Sequence, residues 1–251
     1  MYLMTSADYY IVNIWSHIVG AVCMLLLLPI SFHRTVPPRY LFASRTDLLV
    51  FMVYVLGTSI CFLLSAVFHL VYHHSPETCQ VARQFDFLGI VLLMWSASVP
   101  LVYYNFLQHP QLQILYWTIQ SLLAASCATS TFKPRFSHPT LQHLRVRTFG
   151  LLALTFFIIV CHGIHIHGIN EQKMMGLMWV LSTASINAIA ATAYITKFPE
   201  SWWPRSFDIF GSSHQLLHVL VVLASWTFYS GLVQAFDWKY RQTLELSKYD
   251  S

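Results

Sequence analysis

The chain has 251 residues, of which 56% are hydrophobic and 10% charged, with a mean hydropathy of +0.56 and a formal net charge of +4. A soluble domain carries about 25% charged residues. So large an apolar excess cannot be hidden in one soluble core, and it specifies an integral membrane protein. The positive charge is scattered, with no run of Lys or Arg that would suggest nucleic acid as a partner.

Seven apolar stretches are each long enough to cross a bilayer, at roughly 20 residues apiece. In chain order they cover about 14–30, 48–72, 86–104, 112–132, 148–162, 174–195 and 212–235. They are too long and too continuously apolar to alternate as barrel strands, so the expected fold is all-α, a seven-helix transmembrane bundle. Loops are marked by Pro37-Pro38 with Arg34, Arg39 and Arg45, by His73-His74-Ser75-Pro76-Glu77, and by the basic segment holding Lys133, Arg135, Arg145 and Arg147. Pro199 and Pro204 mark the turn before the last stretch. The whole of 1–251 reads as one membrane domain, with a short polar tail at 237–251.

Cys23, Cys61, Cys79, Cys127 and Cys161 have no close spacing, so neither a disulfide framework nor a Cys-based zinc site is expected. No basic residue precedes the first apolar run, so no cleavable signal peptide is expected. No Asn-x-Ser/Thr sequon occurs.

Seven spans place the termini on opposite sides. On the N-terminal side, side A, fall Arg83, Lys133, Arg135, Arg145, Arg147, Lys197 and Arg205. On side B fall Arg34, Arg39, Arg45, Lys173, Lys239, Arg241 and Lys248. The counts are equal, so charge asymmetry does not orient the chain, although the short basic loop after the fourth stretch favours side A as cytoplasmic.

Ionisable residues inside a membrane are costly and mark function. His214 and His218 are spaced i, i+4 and share one helix face, which is how a helix offers two imidazoles to one metal. Alternating the direction of the spans brings His69, at the end of the second stretch, and Asp86, at the start of the third, to the same level on side A. Ser65 lies one turn before His69 on the same face. Each residue also has an ordinary reading: Asp86 as a helix cap, His69 as an interfacial residue, Ser65 as a bond to a carbonyl one turn back. Three neutral imidazoles with one open position form a zinc arrangement that activates water toward a pKa of about 7. Asp86 would then act as general base and Ser65 would orient a ligand or help stabilise an oxyanion.

His162, His165 and His167 cluster at the end of the fifth stretch toward side B, where a second metal site is the alternative to plain interfacial residues. His73, His74, His109, His138 and His143 read as loop or interface residues. His17 lies on side A, behind the ligands. Trp15, Trp202, Trp203 and Trp238 sit near segment ends, as an aromatic belt predicts.

Ser65-Ala-Val-Phe-His69, Phe85-Asp86-Phe87-Leu88-Gly89-Ile90, and Pro199-Glu200 ahead of Phe207-Asp208-Ile209-Phe210-Gly211-Ser212-Ser213-His214-Gln215-Leu216-Leu217-His218 come in an order that resembles the progestin and adipoQ receptor family. That family is related to the hemolysin III proteins and includes the adiponectin receptors; the likeness runs from Asn13 to about Phe236, in the style of the fungal members. The resemblance implies a seven-helix bundle with a cytoplasmic N-terminus and a zinc ion toward the cytoplasmic leaflet. It implies His69, His214 and His218 as the ligands, Asp86 as the acid beside the metal and Ser65 as its serine. It also implies ceramidase-like amide hydrolysis, receptor signalling, and zinc and sterol homeostasis, with a ceramide-like or fatty acid ligand in the bilayer and an extracellular protein ligand. One departure stands out: Asn13-Ile-Trp-Ser16-His17 is present, but Tyr10 stands where the family usually has Glu.

Three functions compete. The first is a zinc-dependent lipid amide hydrolase in a plasma membrane or endomembrane. The second is a receptor whose zinc only ties helices together. The third, zinc transport, is disfavoured because the site sits at one end with no polar path to side B.

Overall fold

Short polar signals set where the helices begin. Ser44 and Asp47 form a reciprocal capping box, with Ser44 Oγ accepting from Asp47 N at 3.1 Å and Asp47 Oδ2 accepting from Ser44 N at 3.0 Å. Ser75 caps the next helix through Thr78 N, with Pro76 in its first turn. The computed structural model describes residues 6–35, 38–132, 142–207 and 210–249; Lys133, Arg135, His138 and Asp208 lie outside them. The described helices are α1 (Ser6–His33), α2 (Arg45–Val71), α3 (Pro76–Asn105), α4 (Pro110–Phe132), α5 (Gln142–His167), α6 (Ile169–Met174), α7 (Leu177–Thr196) and α8 (Ser213–Tyr249).

α2, α4 and α7 match the expected apolar stretches to within three residues, whereas α1, α3, α5 and α8 run well beyond theirs, because caps and tertiary contacts, not hydropathy alone, end a helix. The third helix starts ten residues before Asp86, at Pro76, so Asp86 lies inside α3 and does not cap it. A short α6 precedes the sixth long helix, and α8 runs on past Asp237 to Tyr249 as one 37-residue helix. Among the described residues, six helices are long and apolar enough to span a membrane: α1, α2, α3, α5, α7 and α8. The other long helix, α4, has 23 residues but is diluted by Gln111, Gln113, Gln120 and several hydroxyl residues. The chain is a multi-pass integral membrane protein. Its outer surface agrees, since Leu122, Phe157 and Ile189 are at least 60% exposed.

The helices pack in sequence, α1 on α2, α2 on α3, α3 on α4, α4 on α5 and α7 on α8, and α1 also touches α8. Phe51, Tyr54, Phe62, Val102, Phe106 and Phe228 fill the core between them. The α2–α3 contact is the closest and depends on two glycines. A Cβ on Gly57 would fall 2.4 Å from Ser96 Cβ, and one on Gly89 would fall 3.1 Å from Cys61 Cα. Gly57→Leu must therefore push α2 and α3 apart, with an expected loss of about 1–3 kcal/mol, read as a lower denaturation midpoint in detergent.

A second fastening lies where α2 begins. Asp47 is 2% exposed and accepts from Lys239 Nζ at 2.8 and 2.9 Å and from Tyr104 Oη at 3.0 Å. Nearby, Arg39 donates to both oxygens of Asp237 at 2.7 Å. These pairs hold the end of α8 against α2, α3 and the loop after α1. Removing one partner of a buried pair strands the other charge. Lys239→Met is therefore expected to cost about 3 kcal/mol of stability, measured by chemical unfolding.

Candidate metal centre

The site is assembled by two helical i, i+4 pairs and one acid from a third helix. Ser65 and His69 share a face of α2, and His214 and His218 share a face of α8. The three Nε2 atoms form a near-equilateral triangle: His69 to His218 3.1 Å, His69 to His214 3.2 Å and His214 to His218 3.2 Å. His69 and His218 are each 4% exposed and His214 is half-buried. Three nitrogens around a tetrahedral zinc at about 2.0–2.1 Å stand about 3.3–3.4 Å apart, so this donor set fits such an ion. Among the described residues this is the one group of three or more His, Cys, Asp or Glu side chains able to hold a metal.

Asp86 and Ser65 open into the same cavity as the three histidines, and the Ser65 hydroxyl hydrogen-bonds to the Asp86 carboxylate. This cavity has a volume of about 1470 Å³ and runs between α2, α3, α5, α7 and α8 from the histidines to Tyr54 and Phe228. Its lining is mainly apolar, and its polar groups include Arg83, Thr131, Thr183 and Asn187 besides Ser65, Asp86 and the imidazoles.

The side-B histidines do not converge. His162 Nδ1 bonds to Tyr116 Oη at 2.8 Å, and His167 Nε2 bonds to the Asn105 carbonyl at 2.8 Å. The arrangement expected for a second metal site is therefore not formed there, because separate partners on α3 and α4 hold these rings apart.

Two features of the site lie beyond what spacing shows. The ring of Tyr194 on α7 packs against His214 at 5.4 Å. Glu200 closes the start of α8: its carboxylate accepts from Ser213 N at 2.8 Å and from Ser213 Oγ. An acid at a helix N-terminus satisfies orphan N–H groups and complements the dipole. Burial pushes the Glu200 carboxyl up, but the Ser213 hydrogen bonds and nearby Lys197 outweigh this and hold it below its ordinary value. A carboxyl with a lowered folded pKa contributes stability above its unfolded value, about 4.3, and that contribution fades as pH falls through the folded value. Glu200→Ala should cost about 1 kcal/mol at pH 7, and the difference from wild type should shrink on acidification below about pH 4, read from unfolding midpoints across pH.

Buried imidazoles facing one point inside a helical membrane protein, in the wall of a largely apolar cavity, define a metal-capable intramembrane site. The haemolysin-III related family model matches residues 9–229, and the chain belongs to that family, among its adiponectin receptor-like members. It is 28% identical over 221 residues to the adiponectin receptor protein of Drosophila melanogaster, covering 88% of this chain and 49% of that protein. It is 29% identical over 229 residues to the ADIPOR-like receptor IZH2 of Saccharomyces cerevisiae, covering 90% and 71%. It is 30% identical over 188 residues to the heptahelical transmembrane protein ADIPOR2 of Oryza sativa subsp. japonica, covering 75% and 82%. The chain thus spans about half the length of the fly relative.

Proposed function

We propose that this chain is a single seven-span membrane domain, with α4 as the additional span, that binds one zinc ion through His69, His214 and His218 and hydrolyses a lipid amide such as ceramide. The observation that carries this reading is the imidazole triangle opening, together with Asp86 and Ser65, into a cavity of about 1470 Å³. Zinc held by three neutral imidazoles would supply a Lewis acid that polarises the amide carbonyl and makes a nearby water more acidic. Asp86 takes a proton from the attacking water as its oxygen joins the amide carbon, and returns that proton to the leaving nitrogen as the C–N bond breaks. Ser65 holds the Asp86 carboxylate in place. The apolar wall receives the acyl chain, and the products are a fatty acid and an amine.

The triangle lies toward side A, the end that also carries the N-terminus. We take side A as cytoplasmic, in a plasma membrane or endomembrane. A released lipid would then serve as the signal of a receptor-like protein that answers an extracellular protein ligand and bears on zinc and sterol balance. Zinc content and ceramide hydrolysis of wild type, His214→Ala and Asp86→Asn test the reading together. One zinc per chain, lost in the His variant, with turnover lost in both variants, is the expected result.

A receptor with a purely structural zinc is the second reading. It is favoured by the way the imidazoles join α2 to α8 at one depth while Tyr54 Oη, bonded to the Ser225 carbonyl at 2.8 Å, joins the same helices deeper in the bundle. Zinc bound in every form but no turnover in any would select it. Zinc transport gains no support from the described residues, which hold no second metal-capable group on the way to side B.

A further inference from the structure

Asn13 and His17 stand one helical turn apart on the face of α1 that meets α8. Asn13 is 0% exposed and His17 6%. The His17 ring stacks on that of the ligand His218, with centroids 4.0 Å apart and planes 23° apart, and also contacts Phe62 at 4.9 Å. The Asn13 backbone approaches the His218 ring, and the Ser16 hydroxyl donates to the Asn13 carbonyl at 3.1 Å. Yet Asn13 Nδ2 and Oδ1, both His17 ring nitrogens and His218 Nδ1 all lack a protein hydrogen bond of normal geometry.

Each buried polar atom left unmatched costs about 1–3 kcal/mol. The Asn13 backbone lies close to the His218 ring and the His218 backbone close to the His17 ring, but both atoms of the fully buried Asn13 amide are left unmatched beside them, which is too costly to be there for packing alone. A buried water takes two to four polar partners, and this seam offers that many around one ligand histidine. A metal-binding imidazole ordinarily donates its other N–H to an oxygen, which fixes its tautomer and its ring plane. We infer that Asn13 and His17 are positioning residues for His218: they hold one ordered water against its Nδ1–H, while the stacked His17 ring sets its plane, so that Nε2 is the atom presented to the metal. This rests on the reading of the imidazole triangle as a zinc site. His17 is not itself a ligand here, since its ring lies face to face with His218 and its nitrogens stand outside the converging group.

The test uses the full chain in detergent, with three readouts: zinc affinity by chelator competition, the visible absorption of the Co²⁺ form, and thermal stability of the metal-free protein. Asn13→Leu and His17→Phe keep the bulk and remove the polar atoms. Each is expected to retain one metal per chain, to weaken zinc binding about 10–100-fold and to shift the Co²⁺ bands. The metal-free midpoint should stay the same or rise, because unmatched polar atoms have gone. His17→Gln should recover part of the affinity. Wild-type affinity and unchanged bands in both variants would overturn the inference. So would complete loss of metal from His17→Phe, which would make His17 a ligand. A wild-type protein that binds no zinc would overturn the metal reading itself, and this inference with it.

Discussion

His218→Ala is expected to weaken metal binding sharply and to lose most of the metal-dependent part of stability. Structural zinc sites of four protein ligands are worth about 10–16 kcal/mol, so one ligand contributes about 3–4 kcal/mol, or roughly 10²–10³ in affinity. His218 is nearly fully buried, and its loss also opens a hole beside His17. The two effects separate by adding zinc. Excess zinc at about 1,000 times its dissociation constant stabilises a binding-competent protein by about 4 kcal/mol. Wild type should show that rise in its unfolding midpoint and His218→Ala only about 0.4–1.4 kcal/mol of it, while its metal-free midpoint falls by the cost of the hole alone. His165→Ala serves as control: it removes a histidine from α5 that has no part in the triangle and should leave the zinc response intact. A full zinc response in His218→Ala would remove the triangle as the binding site.

The class of fold and the metal-capable triad were legible in the sequence because both are periodic. Membrane helices announce themselves by length and apolarity, and two i, i+4 pairs on antiparallel helices meet wherever the helices do. Where helices begin was less legible, because the signals are single residues. Ser75 and Pro76 start α3 ten residues upstream of the apolar run, which turns Asp86 from a possible cap into an interior residue facing a cavity. The polar reach of α8 past Asp237 reads as a tail until Lys239 is seen bonded to Asp47, 192 positions away. Contacts of that kind leave no mark on local pattern. The same holds for Glu200, whose bond to Ser213 spans a loop, and for His17, whose stacking on His218 needs α1 and α8 to be neighbours. The side-B histidines show the opposite failure. His162, His165 and His167 are close in sequence, but the α5 spacing turns His167 away from the face His162 and His165 share, and Tyr116 and the Asn105 carbonyl claim His162 and His167 separately.

Asp86→Asn should lower ceramide turnover about 10²–10⁴-fold, the usual worth of a positioned general base, while leaving one zinc per chain. The substitution is nearly isosteric. An amide oxygen still accepts from the Ser65 hydroxyl, so the side chain should keep its place and lose only the ability to take a proton. Ser65→Ala should act more gently, because it loosens the carboxylate without removing it. One net hydrogen bond of about 1 kcal/mol corresponds to roughly a five-fold loss of rate. The double variant should be no slower than Asp86→Asn alone, since Ser65 acts through Asp86 and their effects are not additive. Turnover of each form, normalised to bound zinc, decides between the readings. A large loss confined to Asp86→Asn assigns the proton transfer to this carboxylate. Normal turnover in Asp86→Asn removes it as the base, even if the zinc site stands.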